Sequence, residues 1–419
     1  MSEALYERLQ RLKRQQSNEQ NRATDRDQTI SSRDVSDSRA HCDRTDPVPP
    51  ESRESLERLG FIEQSDGAFV RSIDREIGFA AGRVIEMRKG GGMIVPAGAR
   101  EPVFYDVEST GLGAGAGNVA FLVGAVTVVG QTRLHVEQTL LPDYPDEPLF
   151  LKRTAQLLSS DRLAVSYNGK GFDTNLLRSR FLMNGIRWSE PEQLDLLYTV
   201  RRLWGRVFPD CRLSTVEKLL LGVERGRDVP GAEVPDRYFA FLETGAGEVL
   251  RDVIAHHEQD MLSLVLLFDA VEQTMVAARH LADGAANVSS AEIGAPVAAD
   301  PVGVARALLT ASGVDAAVGW LYHACADEQP IGNIRRAMVL LAGLLKKRAQ
   351  FEEAARLWSR LFHEGQSALA GIELAKHLEH REKNIPAAIT VCEKLLHHTG
   401  TAREDIEHRY RRLRRKASR

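Results

Sequence analysis

The spacing of apolar and polar positions divides the chain before any motif is considered. From Val103, VFYDVES reads as a strand. VAFLVGAVTVVGQTRLHVEQTLL (119–141) reads as two strands joined by a tight turn at Gly130 and Gln131, a hairpin signal. PLFLKRTAQLLSS is helical, LAVSYN is a short buried strand, and FDTNLLRSRFLMNG is a helix ended by Gly185. Farther along, Leu250, Val253, Ile254, His257, Met261, Leu264 and Phe268 form an apolar stripe at helical spacing. His256 and Asp260 lie one turn apart beside that stripe, while His257 sits on it and reads as a packed histidine. Three strands, then helix, strand and further helices predict an α/β domain with a mixed sheet flanked by helices. A doubly wound dinucleotide fold would place a helix directly after the first strand.

The flanks read differently. Residues 1–58 are poor in large apolar groups and dense in Arg, Asp, Ser and Gln. Such a segment buries too little surface to offset its ordering entropy, so it is expected to be mostly disordered, with a short helix in EALYERLQRLKRQ. The α/β domain is expected over 59–282, with GFIEQSDGAFVRSIDREIGF as its lead-in and 283–303 as a linker. From 304 to 419 no strand signal appears. Phe351, Ala354, Ala355, Leu357, Trp358 and Leu361 align with Ile385, Ala388, Ile389, Val391, Cys392 and Leu395. Leu340, Leu341 and Leu344 align with Leu374, Ala375 and Leu378 at the same offset, about 34 residues, which is the tetratricopeptide period. A tetratricopeptide-like helical domain is expected there, with an irregular stack of helical hairpins as the alternative.

Composition narrows this picture only a little. A net charge of −3 decides nothing about an acidic or nucleic-acid partner, so local charge has to do so. Cys42, Cys211, Cys325 and Cys392 are scattered, without paired spacing, which argues against a disulfide framework or a zinc ribbon and fits a reducing cytoplasm. The N-terminus lacks the apolar core of a signal peptide, and no apolar run approaches the ~18 residues a membrane helix needs. A cytoplasmic protein is expected.

Candidate chemistry begins with FYDVESTGLGAGAGN (104–118), where a glycine run meets a pair of acids. Gly111, Gly113, Gly115 and Ala116 mimic a dinucleotide fingerprint, but that motif works by opening a helix, and here a strand follows. NGKGFD (168–173) fails as a phosphate loop, because Gly and not Ser or Thr follows Lys170. The acids hold up better. On a strand Asp106 and Glu108 face the same side at roughly 7 Å, where they repel and lose hydration unless a cation lies between them. Solvated or salt-bridged acids at a strand end are the alternative. Asp173 follows a buried strand at the start of a helix, where α/β sheets present groups to a crevice, although a helix cap would look the same. With Asp260 there are four acids in three segments, which suits two divalent cations, Mg²⁺ or Mn²⁺. Two such ions ~4 Å apart can promote in-line displacement at phosphorus, with a neutral histidine taking the water's proton.

These residues, DVE, NGKGFD and HHEQD in that order, resemble the DEDD superfamily of 3′→5′ exonucleases with its ribonuclease H-like fold. More closely, Val103 to Ala270 is similar to the bacterial YprB-type ribonuclease H-like domain, through YDVESTGL, AFLVGAV, VEQTLL, SYNGKGFDTNLLRSRF, LDLLYTVRRLW, CRLSTVEKLLLG and DVPGAEVPDRYFAFLETG. The resemblance implies metal ligation by Asp106, Glu108, Asp173 and Asp260, and a general base at His256. The exonuclease families have a His five positions before the last acid or a Tyr four before it, whereas this chain has a His at the Tyr-type spacing. Thr110 and Leu112 match positions that contact the terminal nucleotide in relatives. Asp195 resembles an acid that lines the site without always binding metal, with a helix-start acid as the alternative. Asn168 and Lys170 are further substrate candidates, Lys170 being the best placed for a phosphate.

The expectation is therefore a metal-dependent 3′→5′ exonuclease that uses two divalent cations on RNA or DNA, single-stranded or with a free 3′ end. Arg201, Arg202, Arg206 and Arg212 are candidates to line the approach, against a reading as solvated surface charge. The basic run RYRRLRRKASR can attract nucleic acid by counterion release, or be a solvated helix end. The helical C-terminal part would bind a protein partner or extend the substrate surface. The competing expectation is a catalytically degenerate module of the same fold that binds nucleic acid or protein.

Overall fold

Among the described residues, seven strands form one sheet that holds every candidate acid except Asp260 and Asp173 at or near a strand end. They are β1 (Ile62–Glu63), β2 (Phe69–Glu76), β3 (Glu101–Ser109), β4 (Ala120–Val129), β5 (Arg133–Leu140), β6 (Arg162–Ser166) and β7 (Glu192–Asp195), in the order β1-β2-β5-β4-β3-β6-β7. The computed structural model describes residues 48–76, 100–111, 117–130, 133–225, 229–284, 299–325, 331–397 and 403–418. β3, β4 and β5 are an antiparallel meander, and β6 and β7 run parallel to β3. The predicted hairpin and strand order are met.

β3 lies inside the sheet between β4 and β6 and is apolar on both faces, as a strand covered on both sides must be. Val103, Tyr105 and Val107 face one core with Phe150 of α2 (Glu147–Leu157), Leu176 of α3 (Asp173–Met183) and Tyr238 of α6 (Val234–Thr244). Phe104 faces the other core with α4 (Leu196–Leu203) and α7 (Arg251–Ala282), and meets Phe268 edge-on with ring centroids 5.5 Å apart. Between them comes α5 (Leu213–Val216), which runs on into a π-helical turn, Glu217–Leu221. The pairing of β3 with β4 shifts register at Glu108/Ser109, with Phe121 as the extra residue on β4. Such bulges re-aim side chains at a strand end.

Two stretches exceed what patterning predicts. The lead-in contains β2, which pairs along its whole length with β5 at the sheet edge. The span 1–58, expected to be disordered, contains α1 (Pro50–Arg58), with Leu56 fully buried and Ser55 Oγ accepting from the Gly247 amide at 2.6 Å. The helix expected in EALYERLQRLKRQ lies outside the described residues.

The C-terminal region comprises α8 (Pro301–Ala311), α9 (Val314–Ala324), α10 (Ile331–Lys347), α11 (Phe351–His363), α12 (Ala368–His380), α13 (Ile385–Leu396) and α14 (Arg403–Ala417). α8 begins inside the span 283–303 read as linker. Neighbouring helices pack in sequence order, and the aligned positions Ala354, Ala355, Trp358 and Leu361 are buried, as are Ala388, Ile389, Cys392 and Leu395. One continuous core runs from Phe104 in the sheet through Met261 and Met275 of α7 to Leu413 of α14.

α7 corrects one expectation. With the short turn before it, Gly247–Ala282 is 36 residues long and contains an 18-residue window of mean hydropathy 1.5, long and apolar enough to cross a membrane by length and composition. That window is 72% buried inside the protein, because one flank covers the sheet and the other the helical region.

The basic C-terminal run is also redirected. Glu379 of α12 has a fully buried carboxylate, and Arg409, Arg412 and Lys416 of α14 all turn inward to it, Arg409 and Lys416 at 2.7 Å. Those three charges close the helical stack. Burial alone would push Glu379 up, but the Lys416 and Arg412 charges outweigh it and hold the carboxyl below its usual range. A carboxyl lowered on folding contributes stability above its unfolded pKa, about 4.3, and loses it as pH falls through the folded value. Glu379→Gln is expected to cost about 1–3 kcal/mol at neutral pH. In thermal melts the gap to wild type should close on acidification below about pH 4, and a gap independent of pH would overturn this account.

Candidate active site

Asp106 and Glu108 emerge on the Phe104 face of β3, half-buried, where the sheet gives way to a crevice. Burial pushes the Glu108 carboxyl well above the usual range, and the charges of Asp106, then Asp260, then Asp173 push it further. Asp173 opens α3 and is buried. Its own burial, followed by Asp106 and Asp195, likewise raises it well above the usual range. Four acids from β3, α3 and α7 therefore share one electrostatic field. That field favours a proton or a cation, as the alternation along β3 predicts.

Asp195 organises the turn that delivers Asp173. Its Oδ1 accepts from the amides of Asn168 (2.8 Å) and Leu197 (3.0 Å), and its Oδ2 from the amide of Lys170 (3.3 Å). It is thus the cap of α4 and a brace for the 168–170 turn, which puts Asn168 in the left-handed region at φ 66°. A Cβ at Gly169 would stand 2.6 Å from Ser166 Oγ and 2.9 Å from Asp173 Oδ2, so only glycine lets the turn close against the acid. Tyr105 secures the other side: its hydroxyl donates to Thr174 Oγ1 at 3.0 Å, and that hydroxyl donates to Gln193 Oε1 at 3.0 Å.

The two adjacent histidines have separate positions. His257 is fully buried, and its hydrogen bonds fix its tautomer. Arg71 Nη1 can only donate, so it assigns the Gln138 oxygen it meets at 2.5 Å. The Gln138 amide nitrogen then donates to the Ile254 carbonyl (3.0 Å) and to His257 Nδ1 (2.9 Å). His257 Nε2 therefore carries the proton and donates to the Asp106 carbonyl at 3.0 Å. Burial also lowers its pKa, more than the Asp106 charge raises it, so the ring is a neutral strut between α7 and β3. Gly124, paired with Asp106 across the ladder, makes room for it, since a Cβ there would be 2.4 Å from His257 Cε1.

His256 lies at the crevice beside Asp260, with Nε2 3.4 Å from Asp260 Oδ2. Arg225 lies over both. Its Nη2 donates to Asp260 Oδ1 at 2.6 Å, its Nη1 meets His256 Nδ1 at 3.3 Å, and its Nε is held by Glu217. Glu217 is fully buried and also accepts from Ser263 Oγ at 2.5 Å. A guanidinium thus stands where a cation would meet Asp260.

Among the described residues, no three His, Cys, Asp or Glu side chains converge as a ready-made cage for one ion. The donor set still fits Mg²⁺ or Mn²⁺: it is all carboxylate, and the neighbouring acid charges hold Glu108 and Asp173 above the usual range. Mg²⁺ keeps several waters and needs only one or two carboxylates together with substrate phosphate.

The remaining candidates separate. Thr110 ties the end of β3 to the start of β4, its amide donating to the Val119 carbonyl (3.0 Å) and its Oγ1 accepting from the Val119 amide (2.9 Å). Leu112 lies outside the described residues. Asn168 and Lys170 expose their side chains at the turn. Arg201 and Arg212 share a cavity with Asn168, whereas Arg206 lines a different one, against α8 and α9, and the Arg202 backbone packs on Gly303.

Sequence reasoning did not find Arg71, Gln138, Gly124, Glu217 or Arg225, whose roles come from partners far along the chain. Arg71 does carry a local signal: it is a charge inside an alternating pattern, FVRSIDRE.

Comparison with known proteins agrees with this architecture. The family model for the RNase_H superfamily (RNase_H_2) matches residues 103–272. The "Uncharacterized protein YprB" of Bacillus subtilis (strain 168) is 32% identical over 300 residues, which are 70% of this chain and 68% of that protein. Among solved structures, the family B DNA polymerase from the hyperthermophilic archaeon Pyrobaculum calidifontis aligns over 62% of this chain and 36% of that one. Its TM-score of 0.33 and 14% identity are too low to carry an argument.

Proposed function

The chain belongs to the YprB family and carries its ribonuclease H-like domain, and from that premise we propose that it is a metal-dependent nuclease. It hydrolyses phosphodiester bonds of nucleic acid, working as a 3′→5′ exonuclease with two divalent cations. The carrying observation is the field shared by Asp106, Glu108, Asp173 and Asp260, in which Glu108 and Asp173 are both pushed well above the usual carboxylate range. Carboxylates set against each other in this way are stabilised by a dication.

Asp106, Glu108, Asp173 and Asp260 would hold Mg²⁺ or Mn²⁺, which when bound supply positive charge for activating a water and for the leaving oxygen. The chain's own residues do the rest. Once Arg225 gives up His256 Nδ1, that ring takes the water's proton; His257 holds β3 and α7 at a fixed spacing, and the turn braced by Asp195 presents Asn168 and Lys170 to the substrate.

Strands of RNA and DNA labelled at the 3′ or the 5′ end, incubated side by side with Mg²⁺ or Mn²⁺, test this reading. A 3′→5′ exonuclease releases the 3′ label as mononucleotide at once and shortens the 5′-labelled strand step by step. No cleavage of any strand would overturn the enzyme, and internal cuts would overturn exonucleolytic action.

One observation favours a second reading, a catalytically degenerate module that binds nucleic acid or protein: Asp260 is ion-paired to Arg225. Calorimetric titration with Mn²⁺ separates the two, since a binding module has no use for two ions.

A further inference from the structure

We propose that the cavity beside the 168–170 turn is the seat of one nucleotide of a single-stranded substrate, its phosphate between Arg201 and Arg212 and its base against Tyr167. The assignment rests on the nuclease reading and names the form of nucleic acid that the site takes.

The cavity has a volume of about 670 Å³, within the range of ligand pockets, and Tyr167, Asn168, Leu197, Arg201, Arg212 and Leu213 are on its wall. Asn168 belongs both to this wall and to the turn that Asp195 braces five residues before Asp173, so the cavity adjoins the acid crevice. Tyr167 is a fixed platform: its hydroxyl donates to the Cys211 carbonyl at 2.7 Å, and burial pushes that hydroxyl up, so it stays protonated and committed as a donor. Leu197 and Leu213 add apolar surface beside the ring.

Arginines near the sheet fall into two groups. Among the described residues Arg133, Arg162, Arg202 and Arg206 share with Arg201 and Arg212 the lack of an ion pair, and of these only Arg201 and Arg212 line this cavity. Arg71, Arg75, Arg153, Arg178, Arg180 and Arg225 are all ion-paired to carboxylates. Among the described residues neither Arg201 nor Arg212 makes an ion pair, although Arg212 contributes to lowering Asp210. In a chain with 58 acids and 55 lysines and arginines, two unpaired guanidiniums on one cavity wall mark a place for an anion from outside. An aromatic face next to paired cations suits a nucleotide, and a base can reach that face only when it is unstacked. That selects a single strand or a frayed end over a duplex.

The test is fluorescence anisotropy with the full chain and a labelled 12-residue single strand (rU and dT), in EDTA, over a series of salt concentrations. Each lost phosphate contact lowers the slope of log K against log salt by about 0.7 on single strands. Arg201→Ala/Arg212→Ala, which removes both contacts to one phosphate, is therefore expected to flatten the slope by about 0.7, and the exposed control pair Arg202→Ala/Arg206→Ala to leave it unchanged. Tyr167→Leu should weaken binding by about tenfold without altering the slope, because stacking releases no counterions. The matching duplex should bind more weakly than the single strand. The proposal is overturned by no binding, by an unchanged slope in the Arg201/Arg212 variant, by equal loss in the control pair, or by a preference for duplex. Since binding is read without divalent cation, arginine-dependent binding without hydrolysis would overturn the nuclease reading alone. Hydrolysis with an unchanged slope would overturn the cavity alone.

Discussion

Asp106→Ala is expected to abolish hydrolysis, by at least about 10³-fold, while the protein unfolds no more easily than wild type. The two halves of this expectation have different physical origins. The loss of rate follows from removing a carboxylate that would hold a cation at the reacting phosphate, worth several kcal/mol of charge stabilisation, where each 1.36 kcal/mol is tenfold in rate. The retained stability follows from how β3 is held. His257 Nε2 donates to the Asp106 carbonyl, a backbone atom that alanine keeps. The carboxylate itself, by contrast, repels Glu108 and Asp173. Removing it relieves that repulsion, so the metal-free variant should melt at or above the wild-type temperature, a trade of stability for function common at catalytic sites. Hydrolysis of a labelled strand and a thermal melt in EDTA check the two halves. Retained activity would remove Asp106 from the site, and a clear fall in melting temperature would show that the lost rate reflects lost structure.

The parts of this site that could be read from sequence are those governed by local periodicity. Alternation along β3 puts Asp106 and Glu108 on one face, and the strand-to-helix junction before Asp173 and the α7 stripe beside Asp260 are equally local signals. What local pattern does not carry is depth and long-range pairing. His256 and His257 are neighbours in sequence, yet one lies at the crevice and the other is fully buried with both ring nitrogens engaged. That distinction depends on Gln138 and Arg71, from β5 and β2, and on the missing side chain at Gly124. β2 itself was only a lead-in because its outer half is charged; those charges are functional, since Arg71 and Arg75 grip Glu258 of α7. The same limit explains the basic C-terminal run. Charge density along a helix does not reveal that Arg409, Arg412 and Lys416 converge on a buried Glu379 thirty or more residues earlier.

Arg225 carries the second large effect, and its replacement should shift stability and cation affinity in opposite directions. Its guanidinium neutralises Glu217, whose side chain is fully buried, and otherwise occupies Asp260 and His256. Arg225→Ala leaves Glu217 with Ser263 as its remaining hydrogen-bond donor, and stranding one partner of a buried pair costs about 3–5 kcal/mol. Adding Glu217→Gln should recover much of that loss, because the stranded charge is then gone. At the crevice the sign reverses. A positive charge in contact with Asp260 opposes a dication by several kcal/mol at an effective dielectric of about 20. Its removal also breaks the contacts it makes with Asp260 Oδ1 and His256 Nδ1. Mn²⁺ should therefore bind Arg225→Gln, and Arg225→Gln/Glu217→Gln, at least about tenfold more tightly than wild type by calorimetry. If affinity fell in both variants while their melts showed an intact fold, Arg225 would be a support that holds Asp260 ready for the ion. A rise would make it a counter-ion that the metal displaces, and the ion pair that favours a degenerate module would then be the resting state of a working nuclease.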